Sequence, residues 1–348
     1  MMRSDFVWRD EDDAEHFARQ LFKHVLRNEG SYESAIMAWS NRALRDRDPL
    51  HTFRAFIEVE EHQNDLVIQN DTRTRWPNGH FYSPVVSRNE ISKDRDRIFK
   101  KTPVVGIDFQ DEKQIVLLHE LSVFFASVPF FENRTDKFRY GYNNPSYNYG
   151  DAIIYWSMIN HLRPGRILEI GSGFSSALAL DTIELLGLPT ACTFVDPYPQ
   201  VAREATAPLR APHRIIGSRV QDIDPTEFLS LEHNDILFID SSHVLKSGSD
   251  VHFELCEILP RLKAGVLVHF HDMFDNFEYP EKWVLEENHS WNELYAVRLF
   301  LTHNDNFSIE YFNDYIAKNY AAILSSLAPT EAPRILLNPG GGLWLRRQ

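Results

Sequence analysis

Apolar positions change their spacing along this chain, and the changes divide it into regions. Near the start, Ala14, Phe17, Ala18, Leu21, Val25 and Leu26 recur at three- and four-residue intervals behind an acidic first turn, which predicts an amphipathic helix. Phe53, Ala55, Ile57 and Val59 then alternate with Arg54, Phe56 and Glu58, and after a polar turn Leu66 to Gln69 reads as a partner strand, a hairpin-like pair. Residues 70–102 are polar, broken by Pro77, Gly79 and Pro84 and crossed by the charge run Lys93 to Arg97, so they read as a surface loop or lid. A helix returns from Glu112 to Val128, with Leu117, Leu118, Leu121, Phe124, Phe125 and Val128 on one stripe.

After Gly141 the pattern becomes short apolar runs separated by helical stretches. Asp151 is placed to cap a helix running to His161, and Arg163-Pro164-Gly165 turns the chain into the first run, Arg166 to Ile170. Ala191 to Val195, Arg214 to Ile216, Asp235 to Ile239 and Gly265 to Phe270 follow, with helices near 175–186, 198–208, 225–230 and 249–262 between them. Continuous apolar strands alternating with helices mean a parallel sheet covered on both faces. Trp291 to Leu301 and Tyr315 to Leu324 read as helices. Phe307 to Phe312 and Gly342 to Arg346 read as a closing antiparallel pair, the last strand entered through the turn Gly340-Gly341-Gly342. The expected architecture is α/β, a Rossmann-like seven-stranded sheet over residues 146–348 behind an N-terminal α+β extension, residues 1–145, that shapes a substrate pocket or lid.

Composition narrows the class without changing this picture. Of 348 residues 43% are apolar and 25% charged, which is globular. No run approaches the roughly 18 apolar residues of a membrane span. The first 16 residues carry Arg3, Asp5, Arg9, Asp10, Glu11, Asp12 and Asp13 where a signal core would be apolar, so a soluble cytoplasmic protein is expected. Cys192 and Cys256 are too few for a disulfide framework and read as small buried hydrophobes. Residues 146–348 hold 15 Lys plus Arg against 26 Asp plus Glu, which accounts for −11 of the net −14. A surface of that sign repels phosphates and anionic lipid, which argues against nucleic-acid and membrane partners and leaves a small-molecule substrate. A homo-oligomer is compatible with all of this.

The candidate chemistry begins at ILEIGSGFSSALAL, Ile167 to Leu180, which reads as a strand, a glycine turn and a helix start. Gly171, Ser172 and Gly173 let a ligand approach backbone N–H groups there, but Ser176 stands where a dinucleotide fingerprint has its third glycine. Glu169 would discourage a pyrophosphate and can receive a cationic amino group. Asp196, ending the next strand, can accept two ribose hydroxyls. A nucleoside with a cationic tail, S-adenosylmethionine, fits these groups better than NAD.

On these residues the segment from Asn144 onward resembles a class I S-adenosylmethionine-dependent methyltransferase. FIDSSHVLKSGSDV, Phe238 to Val251, and LPRLKAGVLVHFHDMF, Leu259 to Phe274, resemble more narrowly the bacterial methyltransferase-24-like branch. The resemblance implies that Glu169, Gly171 and Gly173 hold the methionine part, that Asp196 holds the ribose, and that Gln221 and Asp222 face the adenine. NPSYNYGD, Asn144 to Asp151, resembles the same branch and would place Tyr149 over the cofactor. NGHFYSP, Asn78 to Pro84, is similar too and would bring His80 or Tyr82 to the pocket from above.

Asp240 and Asp272 end the fourth and fifth strands, neighbours about 4.8 Å apart, so their carboxylates can converge beside the methyl donor. His243 and His271 accompany them. The arrangement resembles the divalent-metal site of catechol-type O-methyltransferases, except that His271-Asp272 stands where those enzymes commonly have carboxylate or amide pairs. Imidazole with carboxylate suits iron, manganese, cobalt or zinc better than magnesium. If the fifth strand persists through Asp272, His269 and His271 share one face and Asp272 takes the other, so only one of the two histidines is expected to share a site with Asp272, and His269 reads as a satisfied, hydrogen-bonded structural histidine. The expected function is metal-assisted methyl transfer to an oxygen of a small molecule, with Asp240 and His243 as the reacting groups. Three alternatives stay open: N- or C-methylation with His243 as a base without metal, an oxygenase or hydroxylase on the same fold, and a catalytically silent cofactor binder.

Overall fold

A computed structural model describes residues 75–207 and 213–348, so the helix expected at Ala14 to Leu26 and the strands at Phe53 to Val59 and Leu66 to Gln69 lie outside the described residues. Contacts divide the chain between Pro77 and Asn78, well before the expected boundary at 145/146. The unit Asn78–Gln348 carries both the sheet and the candidate site.

Its frame is a seven-stranded sheet in the order β3-β2-β1-β4-β5-β7-β6. The strands are β1 Arg166–Ile170, β2 Ala191–Val195, β3 His213–Ile216, β4 Ile236–Ile239, β5 Leu267–Phe270, β6 Phe307–Phe312 and β7 Leu343–Arg347. β1 to β5 are parallel, and β7 runs antiparallel between β5 and β6, as the closing pair in the sequence implied. Alternation along β4 shows why both faces are covered: Ile236 and Phe238 enter one apolar cluster, Leu237 and Ile239 the other.

Three helices pack on the first face: α1 Asp111–Phe125, α2 Tyr149–Leu162 and α3 Phe174–Leu186. α2 is buried on all sides from Gly150 to Asn160, which is how a helix apolar around its circumference is accommodated. It starts at Tyr149 behind Asn148, so Asp151 lies inside its first turn and is not its cap. α1 ties the preceding segment to the sheet edge, where Gln114 Oε1 accepts from the N–H of Phe312 in β6. Arg139, buried, donates to Asp181 at 2.6 Å and to Glu184 at 2.6 and 2.9 Å on α3, which anchors the chain between α1 and α2.

Several local expectations are corrected. The charge run at 93–97 folds into two short helices, Arg88–Lys93 and Arg95–Ile98. The helix expected over Tyr315 to Leu324 breaks at Tyr320 into Asn313–Asn319 and Ala321–Leu327, with the Tyr315 and Tyr320 hydroxyls both turned onto Asp111. Cys192 is buried but Cys256 is exposed. A further helix, α4 Glu293–Leu301, begins two residues later than the sequence suggested. Among the described residues no helix is long and apolar enough to cross a membrane.

Candidate active site

Parallel register aligns the residues that follow the strands. The ladder continues one residue past each strand: Gly171 N–H donates to Val195 O, Asp240 N–H to Ile170 O, and His271 N–H to Ile239 O. Gly171, Asp196, Asp240 and His271 therefore emerge at one end of the sheet, the carboxyl end, where open α/β sheets take ligands.

At β1 the chain turns at Gly171, in the left-handed region at φ 78°, and any Cβ there would lie 1.8 Å from the Asp240 carbonyl oxygen. Gly173, by contrast, has open space where a Cβ would project. Glu169 is fully buried beneath this turn; its Oε1 accepts from the Ser175 and Ser176 hydroxyls at 2.6 and 2.8 Å, which locks the turn onto the start of α3. Asp196 accepts from the N–H of Ser172 and of Tyr198. These groups surround a cavity of about 240 Å³ lined by Ser146, Tyr147, Gly171, Ser172, Asp196 and Asp240 among others. Two buried polar atoms of its lining residues find no partner among the described residues, Ser172 Oγ and Tyr147 Oη; Glu169 Oε2, beneath the turn, has none either, but Glu169 does not itself line the cavity. Orphaned polar atoms around a cavity are what a polar ligand would satisfy.

Burial pushes the Glu169 carboxyl up to about 8, against the two serine hydrogen bonds that favour its ionised form. The folded state therefore binds this proton more tightly than the unfolded chain does. Its contribution to stability is complete below the ordinary carboxyl range and is lost as pH rises toward 8, at up to about 1.4 kcal/mol per pH unit. Thermal denaturation of the ligand-free protein from pH 5 to 8 is expected to show that decline, and Glu169→Gln to flatten it. An unchanged slope in the variant would remove Glu169 as its source.

Beside the cavity lies a carboxylate–imidazole cluster. His243 Nε2 stands 3.3 Å from Asp240 Oδ1 and 3.4 Å from Asp272 Oδ2, and His243 Nδ1 lies 2.7 Å from Glu293 Oε2. His271 Nδ1 faces Asp240 at 3.6 Å and Asp272 at 3.4 Å, while its Nε2 meets Asp151 at 3.2 Å. One ligand atom from each of Asp240, His243 and Asp272 lies within 4.8 Å of the others, a set that fits a single cation. Burial alone would lower the His243 pKa, but hydrogen bonds to Asp240 and Glu293 outweigh it and raise it to about 11. His271 is likewise raised, its burial outweighed by Asp272, Asp240 and Asp151.

The structure brings His271 and Asp272 into one site, where strand alternation predicted opposite faces. β5 ends at Phe270, and Asp272 takes a left-handed conformation, φ 59°, that swings its carboxylate back beside His271. His269 is buried between Phe238 and Trp344, and neither ring nitrogen has a hydrogen-bond partner among the described residues, so it is a packed rather than a hydrogen-bonded histidine. Tyr149 lies outside the cavity, its hydroxyl on Glu132, and Tyr147 takes the wall position instead. Asp222 is engaged by Arg219, and Gln221 donates to Gly248 O; neither lines the cavity. The rings of Phe81 and Tyr82 are exposed, Phe81 stacked on His80 and tilted against Tyr82, and none of the three lines it.

Sequence reasoning missed Tyr147, Asp151 and Glu293 as site residues. Glu293 lies 50 positions from the histidine it contacts, and nothing local marks it. The glycine triplet also has a second role: a Cβ at Gly340 would enter the Asp151 carboxylate, and one at Gly341 would lie 2.7 Å from Asp272 N. The last turn thus presses against the back of the cluster.

A seven-stranded sheet of this order, with a glycine turn after β1 and an acid ending β2, is that of a class I S-adenosylmethionine-dependent methyltransferase. Residues 168–273 match the family described as Methyltransferase domain, and the chain belongs to that family. Over 167 residues it is 32% identical to an uncharacterized protein of Archaeoglobus fulgidus, a match that spans 46% of this chain and 76% of the archaeal one. Among solved structures it is similar to the plantazolicin methyltransferase BpumL in complex with SAH, at 15% identity over 69% of this chain and 99% of that one, with a TM-score of 0.39. It is also similar to SAH-bound Podospora anserina methyltransferase PaMTH1, at 14% identity over 75% and 94% of the two chains, TM-score 0.36.

Proposed function

We propose that this methyltransferase transfers its methyl group to an oxygen of a small-molecule acceptor at a divalent transition metal held by Asp240, His243 and Asp272, with His271 beside them. The observation that supports this is the cluster itself: ligand atoms of the three lie within 4.8 Å of one another, and Asp240 also lines the cofactor cavity. Donor and metal would then share one wall. A divalent cation supplies Lewis acidity, which lets an acceptor hydroxyl ionise near neutral pH.

The chain's own groups do the remaining work. Glu169 Oε2, Ser172 Oγ and Tyr147 Oη offer their unused hydrogen-bonding capacity to the cofactor, Asp196 offers the remaining lone pairs of its carboxylate, and Gly173 leaves room. Asp240 and Asp272 balance cationic charge between the two histidines. The N-terminal residues, through 145, take the role of selecting the acceptor. A metal-free base is the weaker alternative, because the carboxylates facing both His243 nitrogens raise its pKa to about 11, so without a cation the ring is already protonated near neutral pH.

Cobalt(II) titration into chelator-treated protein tests the proposal. One equivalent is expected to bind and to give visible d–d bands, while S-adenosylhomocysteine binds the metal-free protein with unchanged affinity. Magnesium is expected to bind more weakly, since it prefers an all-oxygen shell. No stoichiometric cobalt binding would overturn the metal.

A further inference from the structure

His243 is held at its Nδ1, its ring face and its carbonyl, in a strained backbone conformation. Its Nδ1 meets the buried Glu293 carboxylate at 2.7 Å. Its ring lies against Trp291 at a centroid distance of 4.4 Å, and Trp291 is itself stacked on His289 at 4.2 Å. Its carbonyl oxygen accepts from the N–H of both Asn292 and Glu293, at 3.0 and 3.1 Å. Its backbone is left-handed, φ 59°, a conformation that costs a non-glycine residue about 1 kcal/mol or more and persists only where the surroundings impose it. Apart from Asp240 and Asp272 at Nε2, these contacts to ring and carbonyl come from the short segment 291–293 that leads into α4.

We infer that Glu293 is a positioning residue that fixes the His243 ring, with the hydrogen on Nδ1 and the Nε2 lone pair directed at the space between Asp240 and Asp272. A carboxylate accepts, so a hydrogen on Nδ1 completes the contact and leaves Nε2, which faces Asp240 and Asp272, as the nitrogen that a cation there would bind in place of a proton. Histidine ligands are generally oriented in this way by an acceptor on the second nitrogen, and loss of that acceptor costs about 10- to 100-fold in metal affinity. His271 is held with the opposite nitrogen: Asp151 takes Nε2, and Nδ1 faces the two aspartates. Glu293 touches neither the cofactor cavity nor the aspartates' side of the His243 ring.

The inference rests on the metal proposed above, and its test separates the two. Cobalt(II) affinity is measured for wild type, Glu293→Ala and Glu293→Gln, with S-adenosylhomocysteine binding followed for each. Glu293→Ala is expected to bind cobalt about 10- to 100-fold more weakly, with Glu293→Gln recovering part of the loss because its amide oxygen still accepts from Nδ1. S-adenosylhomocysteine affinity should stay within about threefold in both variants, which excludes general misfolding as the cause. Long-range nitrogen–proton spectra of the zinc-loaded protein should show His243 hydrogen on Nδ1 in wild type and a changed pattern in Glu293→Ala. Wild-type cobalt binding with equal affinity in Glu293→Ala, or hydrogen on Nε2, overturns the positioning role and leaves the metal standing. Absence of cobalt binding in wild type overturns both.

Discussion

Gly171→Ala is expected to be the most destabilising single substitution at the cofactor end, costing more than about 4 kcal/mol and with it S-adenosylhomocysteine binding. Two independent effects add. The left-handed backbone at φ 78° disfavours any Cβ by about 1–2 kcal/mol. Steric overlap costs more: the new methyl would lie 1.8 Å from the Asp240 carbonyl oxygen, and that oxygen belongs to the backbone just past β4. Relief requires β1 and β4 to part at the point where Asp240 N–H donates to Ile170 O. Gly173→Ala is the matched control, because its Cβ meets nothing within 4 Å and its φ of −175° is ordinary extended backbone. That variant should unfold within about 0.5 kcal/mol of wild type yet bind S-adenosylhomocysteine more weakly, since the methyl would project beside a cavity this glycine lines. Urea denaturation and calorimetry on the pair separate fold from pocket. A Gly171→Ala protein as stable as wild type would contradict the close approach.

How much of this was legible in the sequence depends on range. β1, β2 and β6 were placed to the residue because continuous apolar runs between turn signals leave no alternative face to choose. The same local logic placed Gly171, Asp196, Asp240 and Asp272 at strand ends, since a parallel sheet delivers its carboxyl ends together. It failed where the backbone left regular geometry. Alternation put His271 and Asp272 on opposite faces, and only the left-handed turn at Asp272 unites them. It failed too where a contact is long-range. Glu293 and Asp151 reach their histidines across 50 and 120 positions, and in sequence they look like an ordinary first-turn acid and a helix cap. Tyr147 and Tyr149 differ by two residues, but α2 begins between them and turns only Tyr147 toward the cavity.

Asp272→Asn is expected to lower methyl transfer by about 10²–10³-fold, equivalent to roughly 3–4 kcal/mol of transition-state stabilisation, while leaving cofactor binding nearly intact. The substitution keeps the shape of the side chain, and asparagine tolerates the left-handed backbone that Asp272 adopts. What it removes is one negative charge between His243 Nε2 and His271 Nδ1, both 3.4 Å away. An amide oxygen can still accept a hydrogen bond there, but it neutralises neither a cation nor an imidazolium, so the acceptor's ionised oxygen would lose its stabilisation. Asp272 does not line the cofactor cavity, whereas Asp240 does. Asp240→Asn should therefore lose both transfer and S-adenosylhomocysteine affinity, and Asp272→Asn should lose transfer alone. S-adenosylhomocysteine release on a panel of phenols and vicinal diols, read beside calorimetric affinity for the product, measures the split. Equal loss of cofactor affinity in the two variants, or wild-type turnover in Asp272→Asn, would place Asp272 outside the reacting site and confine the chemistry to Asp240 and His243.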